Sequence, residues 1–360
     1  MKNTELKLLK SLIELPSPSG MERKLAHHIK NELSNYMSKD KIIIDFHNNV
    51  AVLIGGKDKK KTVMIDAHLD TLGFLICNID KDGYISLSPV GDYDLTILRG
   101  RKVLVISDKH RPFDAVIGTK HAHLIDDNNP EEQLPKKISD LTLDIGVRTR
   151  SQVMKYISIG DSVIIKPEFD NLLEEYYSGS GFDNKAGVFI LMETIKQLKR
   201  RGERPAVNLI FSFSSQEELG WRGARELVRR YRPSLFVGVD VTCATDIYEV
   251  EEREVGRCDL DSGIMLNKGI NIHKPSLSLM QSLARVNKIK VQYQATAGDE
   301  GFNADIIANE NDGIRVLNMG VPCRNLHSPV EIVNFQDLVF GVRLLKSFLS
   351  SKKLGKVINK

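Results

Sequence analysis

The second half of the chain alternates between strand-like and helix-like segments, and this alternation most narrows the folds open to it. Apolar runs rich in β-branched and aromatic residues predict strands at 207–213, 235–239 and 314–317. A helix is predicted near 224–230, and a final amphipathic helix begins near Phe335. Strands that alternate with helices form mostly parallel sheets covered by helices. The sequence therefore predicts an α/β fold.

The first 71 residues predict two helices followed by the first strands of this sheet. Leucine and isoleucine recur at helical spacing over residues 4–15. Ser19, with Glu22 three residues later, has the pattern of a capping box and predicts that a second helix begins there. A strand predicted at 62–65 runs directly into the segment that contains His68 and Asp70.

Residues 72–166 have a different sequence pattern. Short apolar runs are separated by glycine and aspartate turns, and helical periodicity is weak. This pattern indicates a small all-β domain. It is inserted into the helix-covered sheet domain, which we predict to consist of residues 1–71 and 167–360.

Composition excludes several classes of protein. A net charge of +4 over 360 residues is too small to indicate nucleic-acid binding, and no apolar run is long enough to span a bilayer. The N-terminal segment has no apolar block of the kind found in signal peptides. Four cysteines without a C-x-x-C pair indicate reduced thiols. We therefore expect a cytoplasmic protein that binds neither nucleic acid nor membrane.

Candidate ligands lie where predicted strands end or where a helix begins. In open α/β sheets such residues converge at the carboxyl ends of the strands, even when they are distant in sequence. Seven histidines and acids have this placement: His68 and Asp70 after one strand, Glu217 and Glu218 after another, Asp240 at the end of a third, His327 after a fourth, and Asp183 before a helix.

These residue types suit a pair of metal ions. Two imidazoles with three or more carboxylates favour zinc, cobalt or manganese over a structural zinc held by thiolates. Two such ions lower the pKa of a shared water. Of the neighbours Glu217 and Glu218, one can bind metal while the other acts as a general base. Taken alone, the Glu-Glu pair favours a solvated acidic turn before a helix, and only the other candidate ligands overturn that interpretation.

Several motifs together resemble the glutamyl aminopeptidase and tetrahedral aminopeptidase family of dinuclear metallopeptidases, some of whose members are labelled endoglucanases. The resemblance covers nearly the whole chain. The motifs occur in the order D-A-H-L-D-T-L-G-F (66–74), D-I-G (144–146), G-D (160–161), G-F-D-N-K-A-G (181–187), S-Q-E-E-L-G-W-R-G-A (215–224), V-D-V-T (239–242) and R-N-L-H-S-P-V-E (324–331).

The resemblance implies a zinc-exopeptidase-like fold and a role for each candidate residue. Asp183 bridges two divalent ions, His68 and Asp240 hold one of them, and Glu218 and His327 hold the other. Glu217 is the general base, and Asp70 orients His68. The family also often has a cis peptide after the bridging aspartate, here Asp183–Asn184. Its β domain mediates dimerisation, and relatives build homo-oligomers up to a dodecamer.

The predicted function is that of a metallo-aminopeptidase acting on short peptides. Three alternatives remain: an amidase that removes acyl groups from amino acids, an endoglucanase-type glycosidase with two carboxylates and no metal, and an inactive binding protein. Two motifs depart from the family. Its usual Gly-Thr-Asp-Ala stands here as Gly301-Phe302-Asn303-Ala304, and the Pro-Pro-His of its β domain stands here as His121-Ala122-His123.

Overall fold

A mixed eight-stranded sheet forms the centre of the structure, a computed structural model that describes residues 2–124, 134–202, 204–251, 253, 256–297 and 303–359. The spatial order of the strands is β1-β2-β12-β3-β13-β16-β14-β15. Their bounds are β1 Ile42–Ile44, β2 Val50–Ile54, β3 Asp58–His68, β12 Val207–Ser214, β13 Leu235–Cys243, β14 Ile264–Gly269, β15 Val291–Thr296 and β16 Val316–Cys323.

Four neighbouring strands of this sheet, β12, β3, β13 and β16, run parallel. Their carboxyl ends therefore meet at one edge, where Ser214 lies opposite His68 in the pairing register. The predicted α/β architecture is confirmed, and the sheet is mixed, with four parallel and three antiparallel strand pairs among the described strands. Strands β1 and β2 are antiparallel because the short turn at 45–49 reverses the chain directly, and β14 runs antiparallel to β16.

Helices cover both faces of the sheet. Their bounds are α1 Lys2–Ile13, α2 Arg23–Leu33, α3 Arg150–Val153, α4 Phe182–Arg201, α5 Arg222–Tyr231, α6 Lys274–Val286, α7 Asn303–Ile307, α8 Phe335–Leu349 and α9 Leu354–Val357. Helices α1, α2, α4, α6 and α8 contribute to the larger core, while α5 and α7 pack on the opposite face. In the described part of the chain, none of these helices has both the length and the apolar character needed to cross a bilayer.

The capping box predicted at Ser19 is wrong. Helix α2 begins at Arg23, and its N-terminus has no side-chain cap. Ser19 instead donates its hydroxyl hydrogen to Asp70 Oδ2 at 2.5 Å. Glu22 is fully buried and accepts the backbone N–H groups of Gly20 at 2.7 Å and Gln216 at 3.2 Å. Both side chains bind loops that meet at the carboxyl edge of the sheet, because buried polar groups there need partners.

The segment between β3 and α4 contains a closed six-stranded barrel with the order β4-β5-β8-β7-β6-β9. Its strands are β4 Gly73–Ile79, β5 Ile85–Val90, β6 Lys102–Ile106, β7 Phe113–Gly118, β8 Thr142–Asp144 and β9 Ser162–Ile165. The barrel has its own apolar core, which includes Phe74, Val103 and Val163. The short helix α3 lies between β8 and β9, so this segment of the chain is not purely β. Its boundaries as a domain stay a prediction.

A small antiparallel sheet connects the barrel to the helix that carries Asp183. It consists of β10 Phe169–Asn171, β11 Tyr176–Gly179 and β17 Glu331–Asn334. Strand β11 pairs with β17 so that Gly179 lies opposite Glu331. This pairing places the Glu331 side chain beside the start of α4.

Candidate metal centre

The carboxyl edge of the parallel strands brings six of the seven predicted site residues around one cavity of about 700 Å³. The six side chains come from β3, β13, the start of α4 and the loops that follow β12 and β16: His68, Asp183, Glu217, Glu218, Asp240 and His327. The seventh residue, Asp70, is fully buried and does not line the cavity. The convergence follows from the parallel strand order.

Asp183 lies between the two histidines. Its Oδ1 is 3.0 Å from His68 Nε2, and its Oδ2 is 3.3 Å from His327 Nε2. Glu331 Oε2 accepts the backbone N–H of Asp183 at 3.3 Å and that of Gly181 at 3.0 Å. The Asp183–Asn184 peptide bond is cis, as the resemblance implies. With each oxygen facing a different imidazole, this carboxylate is suited to contact two ions at once.

His68 presents its Nε2 atom to the carboxylates. Its Nδ1 donates to the backbone carbonyl of Asp70 at 3.0 Å, which fixes the proton on Nδ1 in the neutral ring. The other nitrogen, Nε2, then has only a lone pair, and it lies 3.0 Å from Asp183 Oδ1 and 3.7 Å from Asp240 Oδ1. Three acceptors that face one another need a cation between them or a second proton on the imidazole.

The Asp70 carboxylate supports the loop that carries the two glutamates. Its Oδ1 accepts the backbone N–H of Glu217 at 2.9 Å, and its Oδ2 accepts that of Glu218 at 3.1 Å. The shortest contact between this carboxylate and His68 Nδ1 is 3.7 Å, and the imidazole instead donates its Nδ1 hydrogen to the Asp70 carbonyl. Asp70 thus connects His68 with Glu217 and Glu218.

Two groups of ligand atoms lie close enough to surround an ion. In one, atoms of His68, Asp183 and Glu218 lie within 4.8 Å of one another, and in the other those of His68, Glu217 and Asp240 do so. Each glutamate belongs to one group. Distance alone therefore does not separate a metal ligand from a general base.

The electrostatics of the site favour bound cations. Burial, followed by the charges of Asp240, Asp70 and Asp183, raises the pKa of Glu217 to about 8. Burial also raises the pKa of Glu218 well above its ordinary value and raises that of Asp240. Divalent ions stabilise the ionised carboxylates and reverse these shifts. Nitrogen and oxygen donors in this number fit zinc, cobalt or manganese.

For Asp183 the balance already favours the charged form. Burial opposes ionisation, but the hydrogen bonds and positive charges of the His327 and His68 imidazoles, when these rings are protonated, outweigh it and hold the pKa of Asp183 below its usual range. Asp183 is therefore the carboxylate of this cavity that remains negative most readily.

Several residues of the site were not assigned from the sequence. Glu331 lies in the motif R-N-L-H-S-P-V-E, so its position was visible, although its contact with Asp183 was not. The segment 91–93, between β5 and β6 of the barrel, gave no sequence signal, yet Gly91, Asp92 and Tyr93 line the site or an adjoining cavity.

A buried polar network lies beneath the metal centre. Asp66 is fully buried and accepts hydrogen bonds from Ser212 Oγ at 2.6 Å, Ser214 Oγ at 2.9 Å and Asn303 Nδ2 at 2.7 Å. Burial raises the pKa of Asp66 to about 6. Asn303 occupies the position where the related motif has aspartate, while Gly301 and Phe302 lie outside the described residues. The amide thus supplies a donor that a second carboxylate would not.

We expect Asn303→Asp to destabilise the protein at neutral pH. The substitution replaces a donor to Asp66 by a buried like charge, which costs about 3 kcal/mol or more unless the two carboxyl groups share a proton. Thermal unfolding followed by circular dichroism at pH 7.5 measures the effect. Asn309→Asp, at an exposed position after the same short helix, is the matched control and should leave Tm within about 1 °C. An unchanged Tm for Asn303→Asp would contradict this account of the network.

Comparisons with known proteins show that the chain is similar to aminopeptidases over almost its full length. The model of the M42 glutamyl aminopeptidase family matches residues 48–344. A lysyl aminopeptidase of Pyrococcus furiosus is 27% identical over 354 residues, covering 96% of this chain and 97% of the relative.

Solved structures agree with this relationship. An aminopeptidase of the archaeon Desulfurococcus kamchatkensis superposes with a TM-score of 0.89 at 26% identity, covering 99% of this chain and 97% of that one. The TET1 peptidase of Pyrococcus horikoshii, which can assemble into a tetrahedron or a large octahedral shell, gives a TM-score of 0.82 at 27% identity. That match covers 96% of this chain and 99% of the TET1 chain.

Proposed function

The chain belongs to the M42 glutamyl aminopeptidase family, and from this premise we propose that it removes N-terminal residues from short peptides with the aid of two divalent metal ions. It is a hydrolase of the aminopeptidase class, in agreement with its relatives. The observation that carries the metal proposal is the position of Asp183, whose two oxygens face the Nε2 atoms of His68 and His327.

Each candidate ligand has a place in this proposal. His68 and Asp240 would hold one ion, Glu218 and His327 would hold the other, and Asp183 would contact both. The 3.7 Å distance from His68 Nε2 to Asp240 Oδ1 and the hydrogen bond that fixes the His68 tautomer support the first assignment. The ions, when bound, lower the pKa of water and polarise the substrate carbonyl.

Glu217 is the proposed general base. It takes a proton from the attacking water and passes it to the nitrogen of the departing peptide. Asp70 is a positioning residue, because its carboxylate holds the backbone of Glu217 while its carbonyl holds His68. The site thus keeps the base and the ligands in a fixed relation before substrate binds.

A free N-terminal amine is the feature by which an aminopeptidase recognises the chain end. As a neutral amine it coordinates metal, and as an ammonium it bonds to carboxylates of the cavity. An acetyl group removes both interactions and adds bulk. We therefore expect N-acetylation to lower kcat/KM at least about tenfold, the loss that one missing charged hydrogen bond of about 1.5–3 kcal/mol produces.

Leucyl, lysyl and glutamyl amides, each free and N-acetylated, form the substrate panel, with carboxymethyl cellulose alongside. The protein is assayed as purified, after chelation, and after addition of zinc, cobalt or manganese. Chelation should abolish cleavage, and one of the metals should restore it. Faster cleavage of the acetylated amides would indicate a deacylase. Sugar release that survives chelation would indicate a glycosidase and contradict the proposal.

The barrel is the proposed dimerisation domain, formed by residues 72–166 and inserted between the two parts of the catalytic domain, residues 1–71 and 167–360. Partly exposed apolar side chains on its outer surface support contact with another copy, and they include Leu75, Val116 and Ile159. The assembly of the TET1 peptidase into large shells supports a homo-oligomer, from a dimer up to a dodecamer. Since no disulfide joins the four cysteines, all of which lie in the described part of the chain, a reducing location such as the cytoplasm is part of the proposal.

A further inference from the structure

A segment of the barrel reaches into the wall of the metal centre. Gly91 lies so close to Glu218 that a Cβ added to this glycine would be 3.4 Å from Glu218 Oε2. The next residue, Asp92, lines the 700 Å³ cavity of the metal centre together with Leu326 and His327. The same three residues also line a neighbouring cavity of about 690 Å³. Asp92 therefore stands where the two cavities meet, beside the reaction site.

The rest of the metal-centre cavity has a largely apolar wall. Its apolar side chains come mainly from the end of β13 and the segment that follows it, and they are Trp221, Val241, Ala244, Ile247, Val250 and Leu326. Such a surface accommodates the aliphatic part of a substrate side chain. Long basic side chains suit it especially well, because their methylene groups pack on apolar surface while the charged end reaches a polar group.

Asp92 lies outside the set of carboxylates that balance the charge of bound metal ions. The four carboxylates of Asp183, Glu217, Glu218 and Asp240 offset the four positive charges of two divalent ions. The described residues that line the metal-centre cavity include no lysine or arginine, and Arg101, which lines the neighbouring cavity, donates its Nε hydrogen to the Ile97 carbonyl at 2.8 Å. A substrate side chain that enters the cavity therefore meets a net negative wall.

We propose that Asp92 makes this aminopeptidase select substrates whose first residue is basic and disfavour those whose first residue is acidic. The inference rests on the proposed function, because it assigns the first residue of a peptide to this cavity. The aliphatic part of a lysyl or arginyl side chain packs on the apolar wall, and its charged end binds the Asp92 carboxylate. A glutamyl side chain at the same place meets a like charge.

The test compares lysyl, norleucyl and glutamyl p-nitroanilides, since norleucine matches the lysine chain without its ammonium group. With wild-type enzyme loaded with metal, kcat/KM should follow the order lysyl, norleucyl, glutamyl. Asp92→Asn should lower kcat/KM for the lysyl substrate about tenfold, mainly through KM, and should raise it for the glutamyl substrate. The norleucyl value should change by less than about twofold.

Controls separate this role from a structural one. Asp108→Asn changes an exposed carboxylate of the barrel that lines neither cavity, and it should leave all three values unchanged. Asp92→Glu, which keeps the charge, should retain the preference for lysine. Isothermal titration calorimetry gives a readout that is independent of turnover. The wild-type enzyme should bind L-lysine more tightly than L-norleucine, and Asp92→Asn should abolish this difference.

Four outcomes overturn the inference. Equal loss for all three substrates would mean that Asp92 binds the α-amine shared by them. Loss of metal in Asp92→Asn would make its role structural. Unchanged kinetics would leave Asp92 without a role in selection. If no free-amine substrate is cleaved at all, the proposed function itself is wrong, whereas good cleavage without a preference for lysine removes only this inference.

Discussion

Glu217→Gln is expected to lower kcat by about 10²–10⁴-fold while the enzyme retains its metal, because a general base commonly contributes that much to the rate. The amide keeps the size of the carboxylate but cannot accept the proton of the attacking water. The backbone of residue 217 remains bonded to Asp70, so the loop should keep its position.

Glu218→Gln is the matched comparison, since it makes the same chemical change one residue away on the same Asp70-anchored loop. Because Glu218 is a proposed metal ligand, its substitution should instead weaken the binding of one ion. The activity of this variant should therefore recover as metal is added in excess. Metal content by elemental analysis and kcat at saturating metal distinguish the two variants. If Glu217→Gln lost metal and Glu218→Gln kept it, the two assignments would be reversed.

Asp183→Asn is expected to cause the largest loss of metal of any single substitution. Among the residues that the structure describes, Asp183 is the carboxylate whose two oxygens face both His68 and His327, which places it to contact both ions. The amide offers a neutral oxygen to one side and, to the other, a nitrogen whose lone pair is delocalised into the carbonyl and does not bind metal. We expect fewer than about one ion per chain and a fall in kcat/KM of at least about 10³-fold.

Elemental analysis of the purified variant and kinetics over a range of metal concentrations measure this effect. Asp170→Asn, at an exposed position on β10, is the control and should retain wild-type metal content and activity. Circular dichroism should give the same spectrum for both variants, which excludes global unfolding as the cause. A variant of Asp183 that binds two ions and remains fully active would contradict the bridging role.

The chemistry of the site was largely predictable from the sequence because each residue type is visible by itself. Histidines and acids placed after predicted strands indicated a metal centre, and the motifs around them indicated the family. What the residues contact was less predictable. Ser19 matched a capping box, yet its hydroxyl bonds to Asp70, because the buried carboxylate at the sheet edge is a partner that only folding brings near.

Local pattern determined the helix and strand segments and the candidate ligands, because side-chain periodicity and donor chemistry depend on neighbouring residues alone. Tertiary structure decided the strand order, the antiparallel edge of the sheet, the contact of Glu331 with Asp183 and the approach of Asp92 to the site. These features depend on which distant segments pair and pack, and that is set by the burial of the whole core rather than by any single stretch of sequence.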